Sequence, residues 1–373
     1  MKIGLVTEYF YPNLGGITEH IYHFYLELAK MGHDPVIVTS EAGSAEHIHL
    51  KDFNICKVGR CYPVYGNGSI GRLTLGFGVG RRLQEIFESE KFDIIHIHSP
   101  FFPTLATVAQ RYSNTVTFGT FHTVFKESIS LRIFRSMFQK YFDALHGKIA
   151  VSQACRKVID KYFTGGEYRV IPNGVDTDFF RPDAKKIQAF ADGKVNIFYL
   201  SRLEPRNGLD YLIRAFLQVH REDQNCRLII GGEGPLRKYY ESMIPREVKK
   251  DVCFVGRLHD DRPSYFATAD IFCFPSTLAA FGITFLEGLA AGRPVLAFSL
   301  PAFEAMVQNR QDAMLCGNPS VANLASGLRE LVADTALRQK MGINARMMAM
   351  RYSWPTVAKE VVQYYEDVLH AFA

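Results

Sequence analysis

A single tryptophan stands among 373 residues, so the aromatic content of 13% is carried mainly by 29 Phe and 18 Tyr. The core is therefore expected to be packed with phenylalanine. The seven cysteines (56, 61, 155, 226, 253, 273 and 316) form no Cys-x-x-Cys pair and no Cys/His cluster, so neither a disulfide framework nor a cysteine metal site is indicated. Cys226, Cys253 and Cys273 lie in apolar runs and read as reduced core thiols of a cytoplasmic protein. No apolar run reaches the length of a membrane span, so any membrane contact is expected to be peripheral, at the inner face. Met1-Lys2-Ile3-Gly4-Leu5-Val6 opens on a strand, and the reading expects no leader before it. A formal charge of +5 does not by itself indicate nucleic acid; clustered, it suits an anionic ligand or an anionic bilayer. The Gly-x-Gly-x-x-Gly fingerprint is missing from the first strand–helix junction, where Gly15-Gly16 stands instead. A nicotinamide dehydrogenase is thereby disfavoured.

What is present is one pattern repeated: an apolar strand, a glycine-rich or polar tip, and an amphipathic helix. The chain is too long for one ordinary core, so two α/β domains are expected. In the first, strands at 2–7, 34–39, 92–98, 115–120 and 148–152 alternate with helices at 18–31, 79–90 and 153–162. Pro182 and the polar run 183–193 mark the boundary, giving domains of 1–182 and 194–353. The tail 354–372 is amphipathic and is expected to pack back on the first domain.

The most informative stretch runs from 270 to 298. Asp270-Ile271-Phe272-Cys273-Phe274 reads as a strand that Pro275-Ser276 ends. A loop leads to Gly282, a helix spans 283–291, and Gly292 and Pro294 stop it before a strand at 295–298. The loop then lies at the carboxyl end of a parallel sheet, where open α/β folds bind ligands. Amides of Phe281, Gly282 and Ile283 would face an anion at the helix start, and Glu287, one turn in, would accept sugar hydroxyls. The other reading of the same unit is an unliganded crossover whose Glu287 faces solvent. Other tips of this second domain carry Arg202 with Pro205-Arg206-Asn207, Gly231-Gly232-Glu233-Gly234, and Gly256-Arg257. Arg202 opposite the 281–283 amides would form an anion cage.

In the first domain, His96 and His98 alternate with isoleucines and so share one face of a strand. His98 and His122 end adjacent strands, where a histidine can donate to an anion or shuttle a proton near neutral pH. Too few ligands are visible for a metal, and none is expected. The run 62–72 is rich in glycine and polar groups, suiting either a binding loop or a solvated turn. Over 124–147, Phe125, Ile129, Ile133, Phe134, Met137, Phe138, Tyr141 and Phe142 interleave with Lys126, Arg132, Arg135 and Lys140. Two readings stand: a cationic amphipathic helix at a bilayer interface, or core aromatics with a wet cationic face.

Taken together, Gly15-Gly16, Phe121-His122-Thr123, Ile171-Pro172-Asn173-Gly174-Val175-Asp176, Arg202 with Pro205-Arg206, Gly231-Gly232-Glu233-Gly234 and Phe281-Gly282-Ile283 through Glu287 resemble the family-4 retaining glycosyltransferases. The likeness runs along nearly the whole chain and is nearest to phosphatidylinositol mannosyltransferases. It implies a GT-B fold, two Rossmann-like domains facing across a cleft, with the C-terminal helix on the first. It implies a GDP- or UDP-hexose as co-substrate and no cofactor. The Gly16 amide and Arg202 would hold the donor diphosphate, Glu287 the ribose, and Gly256-Arg257 the base pocket. Asn207, Ala279, Phe281, Gly282 and Ile283 complete the donor-side candidates. His122 would lie by the transferred sugar. Tyr65, Asn67, Ser69 and Arg72, with Tyr9, Asn13 and Thr123, are the acceptor-side candidates, and the 125–142 segment would meet the membrane.

Two departures matter. The family usually has Lys where Asn207 stands, and a first glutamate where Ala279 stands. The first removes a positive charge opposite the leaving diphosphate, and the second removes a carboxylate for donor hydroxyls. The expected function is transfer of a hexose, mannose by resemblance, to a membrane-associated and phosphoinositide-type lipid. The alternative is a nucleotide- or sugar-binding protein without transfer chemistry. A GT-B phosphorylase would need a pyridoxal lysine, which the 195–300 loops do not offer.

Overall fold

Central strands rich in Ile, Val and Phe and buried along almost their whole length build the middle of two sheets, whose outer strands are more exposed. The computed structural model describes residues 1–13, 15–41, 50–66, 69–101, 104–125 and 127–372. They divide into two units, Met1–Gly174 with Trp354–Ala373, and Val175–Ser353.

Unit 1 contains β1 (Lys2–Thr7), α1 (Gly16–Lys30), β2 (Asp34–Glu41), β3 (Ile55–Gly66), β4 (Ser69–Leu75), α2 (Val79–Glu90) and β5 (Ile94–His98). It continues with α3 (Leu105–Tyr112), β6 (Val116–Phe121), α4 (Ile129–Ile133), α5 (Arg135–Asp143), β7 (Gly147–Ala150), α6 (Gln153–Ile159) and β8 (Arg169–Val170). The sheet order is β4-β3-β2-β1-β5-β6-β7-β8. All pairs are parallel except the β3–β4 hairpin. Alternation along the strands sorts the core. Ile3, Leu5 and Ile94 pack with α1 and the final helix, α14 (Trp354–Phe372), whereas Val6, Ile95 and Ile97 pack with α2 and α3.

Unit 2 contains β9 (Val195–Leu200), α7 (Leu209–Glu222), β10 (Cys226–Gly231), α8 (Arg237–Ser242), β11 (Val252–Gly256), α9 (Arg262–Thr268) and β12 (Ile271–Phe274). It continues with α10 (Ile283–Ala290), β13 (Val295–Ala297), α11 (Pro301–Glu304), β14 (Met314–Leu315), α12 (Val321–Ala333) and α13 (Thr335–Ala349). Its sheet is parallel throughout, in the order β11-β10-β9-β12-β13-β14.

Three sequence expectations need correction. The run 62–72 is neither loop nor turn over most of its length; Pro63 pairs with Arg72 and Tyr62 with Leu73 across the antiparallel hairpin. Residues 125–142 do not make one helix, because α4 and α5 break at Phe134. Residues 175–182 join unit 2 rather than unit 1. Arg346 of α13 donates to the carbonyls of Thr177 and Phe180 (3.0 and 2.9 Å), and Phe180 packs edge-on against Phe266.

Candidate functional site

Unit 2 reverses its strand order between β9 and β12, and open α/β sheets bind ligands at the carboxyl ends of strands beside such a reversal. The two tips there are joined backbone to backbone. Thr277 donates to the Arg206 carbonyl through both its amide (2.9 Å) and its hydroxyl (3.1 Å). Gly208 makes that approach possible: its φ is +72°, and a Cβ there would fall 1.9 Å from the Pro275 carbonyl oxygen. The β10 and β11 tips are stitched on as well, Leu203 N to Glu233 O at 3.0 Å and Gly232 N to Gly256 O at 2.7 Å. Four strand tips thus form one continuous rim.

That rim carries positive charge. Arg202 and Arg206 flank the carboxylate of Glu204, at 3.2 and 3.9 Å, and two guanidinium groups against one carboxylate leave one positive charge in excess. The Glu204 side chain is 4% exposed and that of Arg202 41%, so the acid is an internal brace and Arg202 reaches solvent. Asn207 is buried, and its amide closes the loop by donating to the Arg202 carbonyl at 2.7 Å. Gly282, at φ +91°, starts α10. The first amides of a helix lack intrahelical partners and lie at its positive end, which suits an anion. The Phe281 ring is buried beside Tyr352 (centroids 6.1 Å), so only its backbone can serve a ligand. Ala279 is half-buried in the β12 tip, and Gly256 and the exposed Arg257 end β11.

Glu287 does not face solvent, which removes the unliganded-crossover reading in the form expected from sequence. It is 2% exposed and accepts from Arg262 Nη1 at 3.0 Å. Arg262 in turn lies over the rings of Phe179 and Phe180. The pair is fixed by α9 and α10, 25 residues apart in the chain.

Unit 1 reverses between β1 and β5, and its tips hold a second constellation. Gly16 is exposed at the start of α1, after an extended Gly15 with open space around it. Thr18 Oγ1 donates to Asn13 O (2.6 Å) and Tyr9 N donates to Thr7 Oγ1 (3.0 Å), which fixes the loop between β1 and α1. Glu8 is buried as a brace, accepting from Thr104 Oγ1, Leu105 N and Thr74 N.

Four histidines gather behind these tips. His96 bonds the Tyr365 hydroxyl through Nδ1 and Thr120 Oγ1 through Nε2. His98 stacks on His96 at 4.3 Å, and its Nδ1 lies 3.0 Å from Nε2 of His122. His20, on the buried side of α1, bonds the Asn173 Oδ1 through Nδ1 at 2.8 Å and packs against His98, His122 and Trp354. Burial pushes His20 down to about 4 and His96 to about 3, and holds His98 and His122 well below the ordinary imidazole range. Burial thus favours the neutral form of all four rings, and of the two roles expected of His122, proton shuttle or donor, that direction favours the donor. His20, His98 and His122 each bring a ring nitrogen within 4.8 Å of the others, the grouping among the described residues that could take a metal. Within the group, His98 Nδ1 and His122 Nε2 bond each other, and His20 Nδ1 bonds Asn173.

Of the remaining candidates, Thr123 is exposed beside His122 and Arg72 is half-buried on β4. Asn67, Lys126 and the side chains of Tyr65 and Ser69 lie outside the described residues. On α4 and α5, Ile129 (70% exposed), Ile133 (67%), Phe134 and Met137 stand out beside exposed Arg132 and Arg135, whereas Phe138 and Phe142 are buried. The segment therefore has a buried aromatic part and an exposed apolar part. Sequence reasoning gave no role to His20, Glu204 or Arg262. A histidine on the apolar face of α1, one turn past the Gly-Gly start, was the available sign for the first.

Comparison with known proteins accounts for both units. The profile described as "Glycosyltransferase Family 4" matches residues 14–179, and that described as "Glycosyl transferases group 1" matches 180–348. The chain is 28% identical over 374 residues to the phosphatidyl-myo-inositol mannosyltransferase of Mycobacterium tuberculosis, covering 99% of this chain and 97% of that one. It is 25% identical to the alpha-monoglucosyldiacylglycerol synthase of Streptococcus pneumoniae, over 99% and 86% of the two chains. Among solved structures, a glycosyltransferase of Rickettsia africae superposes with a TM-score of 0.79 at 18% identity, over 99% and 98% of the chains. Anabaena HepE in complex with UDP and glucose superposes with the same score and identity, over 98% and 99%.

Proposed function

Because the chain belongs to the glycosyltransferases, as a family 4 and group 1 pair with GT-B relatives, we propose that it moves a hexose from a nucleotide-diphosphate sugar to a membrane lipid with retention of configuration. Mannose and a phosphoinositide-type acceptor are the substrates of choice, after the M. tuberculosis relative. The S. pneumoniae relative makes a glucosyl lipid, so a UDP-glucose donor and a diacylglycerol acceptor stand second. The observation that carries the reading is the rim of unit 2, where the tips beside the strand reversal are tied together by Thr277 and Arg206, with Arg202 on one tip and the start of α10 following the other.

In that arrangement Arg202 and the α10 amides stabilise the diphosphate as the bond from the sugar C1 to phosphate oxygen breaks. The acceptor oxygen bonds C1 on the same face, and its proton passes to the departing diphosphate, so no protein nucleophile is needed. The Asn207 and Ala279 departures leave this scheme intact, because neither position supplies a reacting atom. Glu287, held by Arg262, is the candidate for the ribose hydroxyls.

Among the described residues no helix is long and apolar enough to cross a membrane. The exposed apolar residues of α4 and α5 beside Arg132 and Arg135 support a peripheral contact with an anionic inner leaflet. The test is direct: purified protein is incubated with GDP-mannose or UDP-glucose, with and without phosphatidylinositol vesicles. Lipid-dependent release of nucleoside diphosphate and a hexosylated lipid in the mass spectrum are expected. The second reading, a binder without transfer chemistry, is favoured by the missing carboxylate at Ala279. It predicts nucleotide binding with no release from either donor.

A further inference from the structure

We infer that His98 is a positioning residue that fixes the tautomer of His122, so that His122 offers an Nδ1–H donor to a substrate oxygen instead of a basic nitrogen. The role rests on the transferase reading; the tautomer itself does not.

The argument begins with the contact. His98 Nδ1 and His122 Nε2 are 3.0 Å apart, a hydrogen bond that needs one proton between them. A neutral imidazole carries a single ring proton, so the bond has two possible directions. If His122 Nε2 donated, the His98 proton would sit on its own Nε2. That nitrogen is buried and has no hydrogen-bond partner among the described residues. A buried N–H without an acceptor is rarer in folded proteins than an acceptor left bare. The direction that avoids it has His98 Nδ1–H donating to His122 Nε2. The His122 proton then lies on Nδ1, the nitrogen that His98 leaves free on a half-buried residue at the β6 tip.

The surroundings hold this arrangement in place. His98 is 1% exposed and lies between two rings, His96 at 4.3 Å and His122 at 5.2 Å, tilted by 29° and 25°. His96 cannot turn freely, since both of its nitrogens are bonded. His20 closes the third side, edge-on to His122 at 4.9 Å, with its Nδ1 taken by Asn173. Burial favours the neutral form of both members of the pair. A neutral, singly oriented imidazole suits hydrogen bonding to a sugar hydroxyl oxygen. It does not suit removal of the acceptor proton, which the leaving diphosphate takes in the proposed reaction.

Two measurements on the full chain test the inference. With 15N-labelled histidine, the long-range proton–nitrogen spectrum at pH 7.5 should show His122 protonated at Nδ1 and bare at Nε2. His98→Leu should lose that single pattern, and His98→Asn, whose amide can donate from nearly the same place, should keep it. With GDP-mannose or UDP-glucose and phosphatidylinositol vesicles, kcat for nucleoside diphosphate release should fall about tenfold in the Leu variant, as for one lost hydrogen bond in the transition state. The donor KM should stay within about twofold and the Asn variant within about threefold of wild type if the loss is confined to that step. A wild-type spectrum with His122 protonated at Nε2 overturns the inference. So does a folded Leu variant with unchanged kcat, or stoichiometric Zn2+ retained by the purified protein on His20, His98 and His122. Should wild type release no nucleoside diphosphate from either donor, the transferase reading fails while the spectrum still decides the tautomer. If the Leu variant does not fold, the wild-type spectrum and the Asn variant decide.

Discussion

Lowering the pH from 7 to 5 should destabilise unit 1 through its histidines. His20 and His96 are buried and neutral in the fold, with pKa values pushed to about 4 and about 3 from an ordinary 6.5. The unfolded chain therefore binds more protons than the native one below pH 6.5, and stability falls as pH falls. The loss sets in as the pH falls through 6.5 and continues until the native pKa values are reached; a unit or more above 6.5 neither state is appreciably protonated and little is lost. At about 1.4 kcal/mol per pH unit of that gap, the full loss is roughly 3 kcal/mol for His20 and roughly 5 for His96. Near pH 5 the two together give a slope of about 2.7 kcal/mol per pH unit. His98 and His122 are shifted the same way and steepen it. Burial raises the Glu8 carboxyl and so opposes the trend by at most one proton. Such a slope consumes much of an ordinary stability of about 5–15 kcal/mol. The protein carries its own reporter, because the lone tryptophan, Trp354, stacks on His23 at 5.6 Å and touches His20. Urea unfolding followed by tryptophan fluorescence at pH 7, 6 and 5 should show the midpoint falling steadily. A midpoint that stays constant over that range would refute the neutral, buried cluster.

Three further outcomes are expected. Gly208→Ala should destabilise unit 2 by roughly 2–5 kcal/mol, from left-handed strain and overpacking against the Pro275 carbonyl; a thermal midpoint equal to wild type by circular dichroism counts against the joined tips. Arg262→Met should cost about 3–5 kcal/mol by stranding the buried Glu287 charge, with Glu287→Leu in the same chain restoring most of it. Equal losses in the single and double variants would mean that the pair is not coupled. Replacing Arg132 and Arg135 by Glu should weaken co-sedimentation with anionic vesicles at least tenfold, at about 1 kcal/mol per charge near the surface; unchanged sedimentation would rule out a membrane role for α4 and α5.

The strands and their tips were legible because short apolar runs ending in glycine or arginine carry their own punctuation: Val195 to Leu200 followed by Arg202, Ile271 to Phe274 followed by Pro275. Long-range pairings left no such mark. Nothing near Glu287 in the chain announces Arg262, and nothing near Val175 shows that Arg346 will hold residues 177 and 180 from α13. The β3–β4 hairpin was hidden because Gly66, Gly68 and Gly71 read as loop, while the pairing that overrides them comes from the facing strand. The 125–142 segment misled for another reason. Its apolar residues serve two environments, Phe138 and Phe142 the core and Ile129 and Ile133 the surface, so one period could not describe them. The histidines were half legible. His98 and His122 stood at strand ends, but their neutrality comes from burial and then from the neighbouring His20 and His96, and His20 arrives from a distant helix.

One measurement goes to the centre of the account: nucleoside diphosphate release from GDP-mannose or UDP-glucose in the presence of phosphatidylinositol vesicles, wild type against Arg202→Ala. The variant should stay folded, with Arg206 still beside the buried Glu204, while losing about a hundredfold in kcat/KM, as expected for a lost charge on the leaving group. Release at the wild-type rate from the Ala variant would contradict the claim that the rim of unit 2 holds the diphosphate.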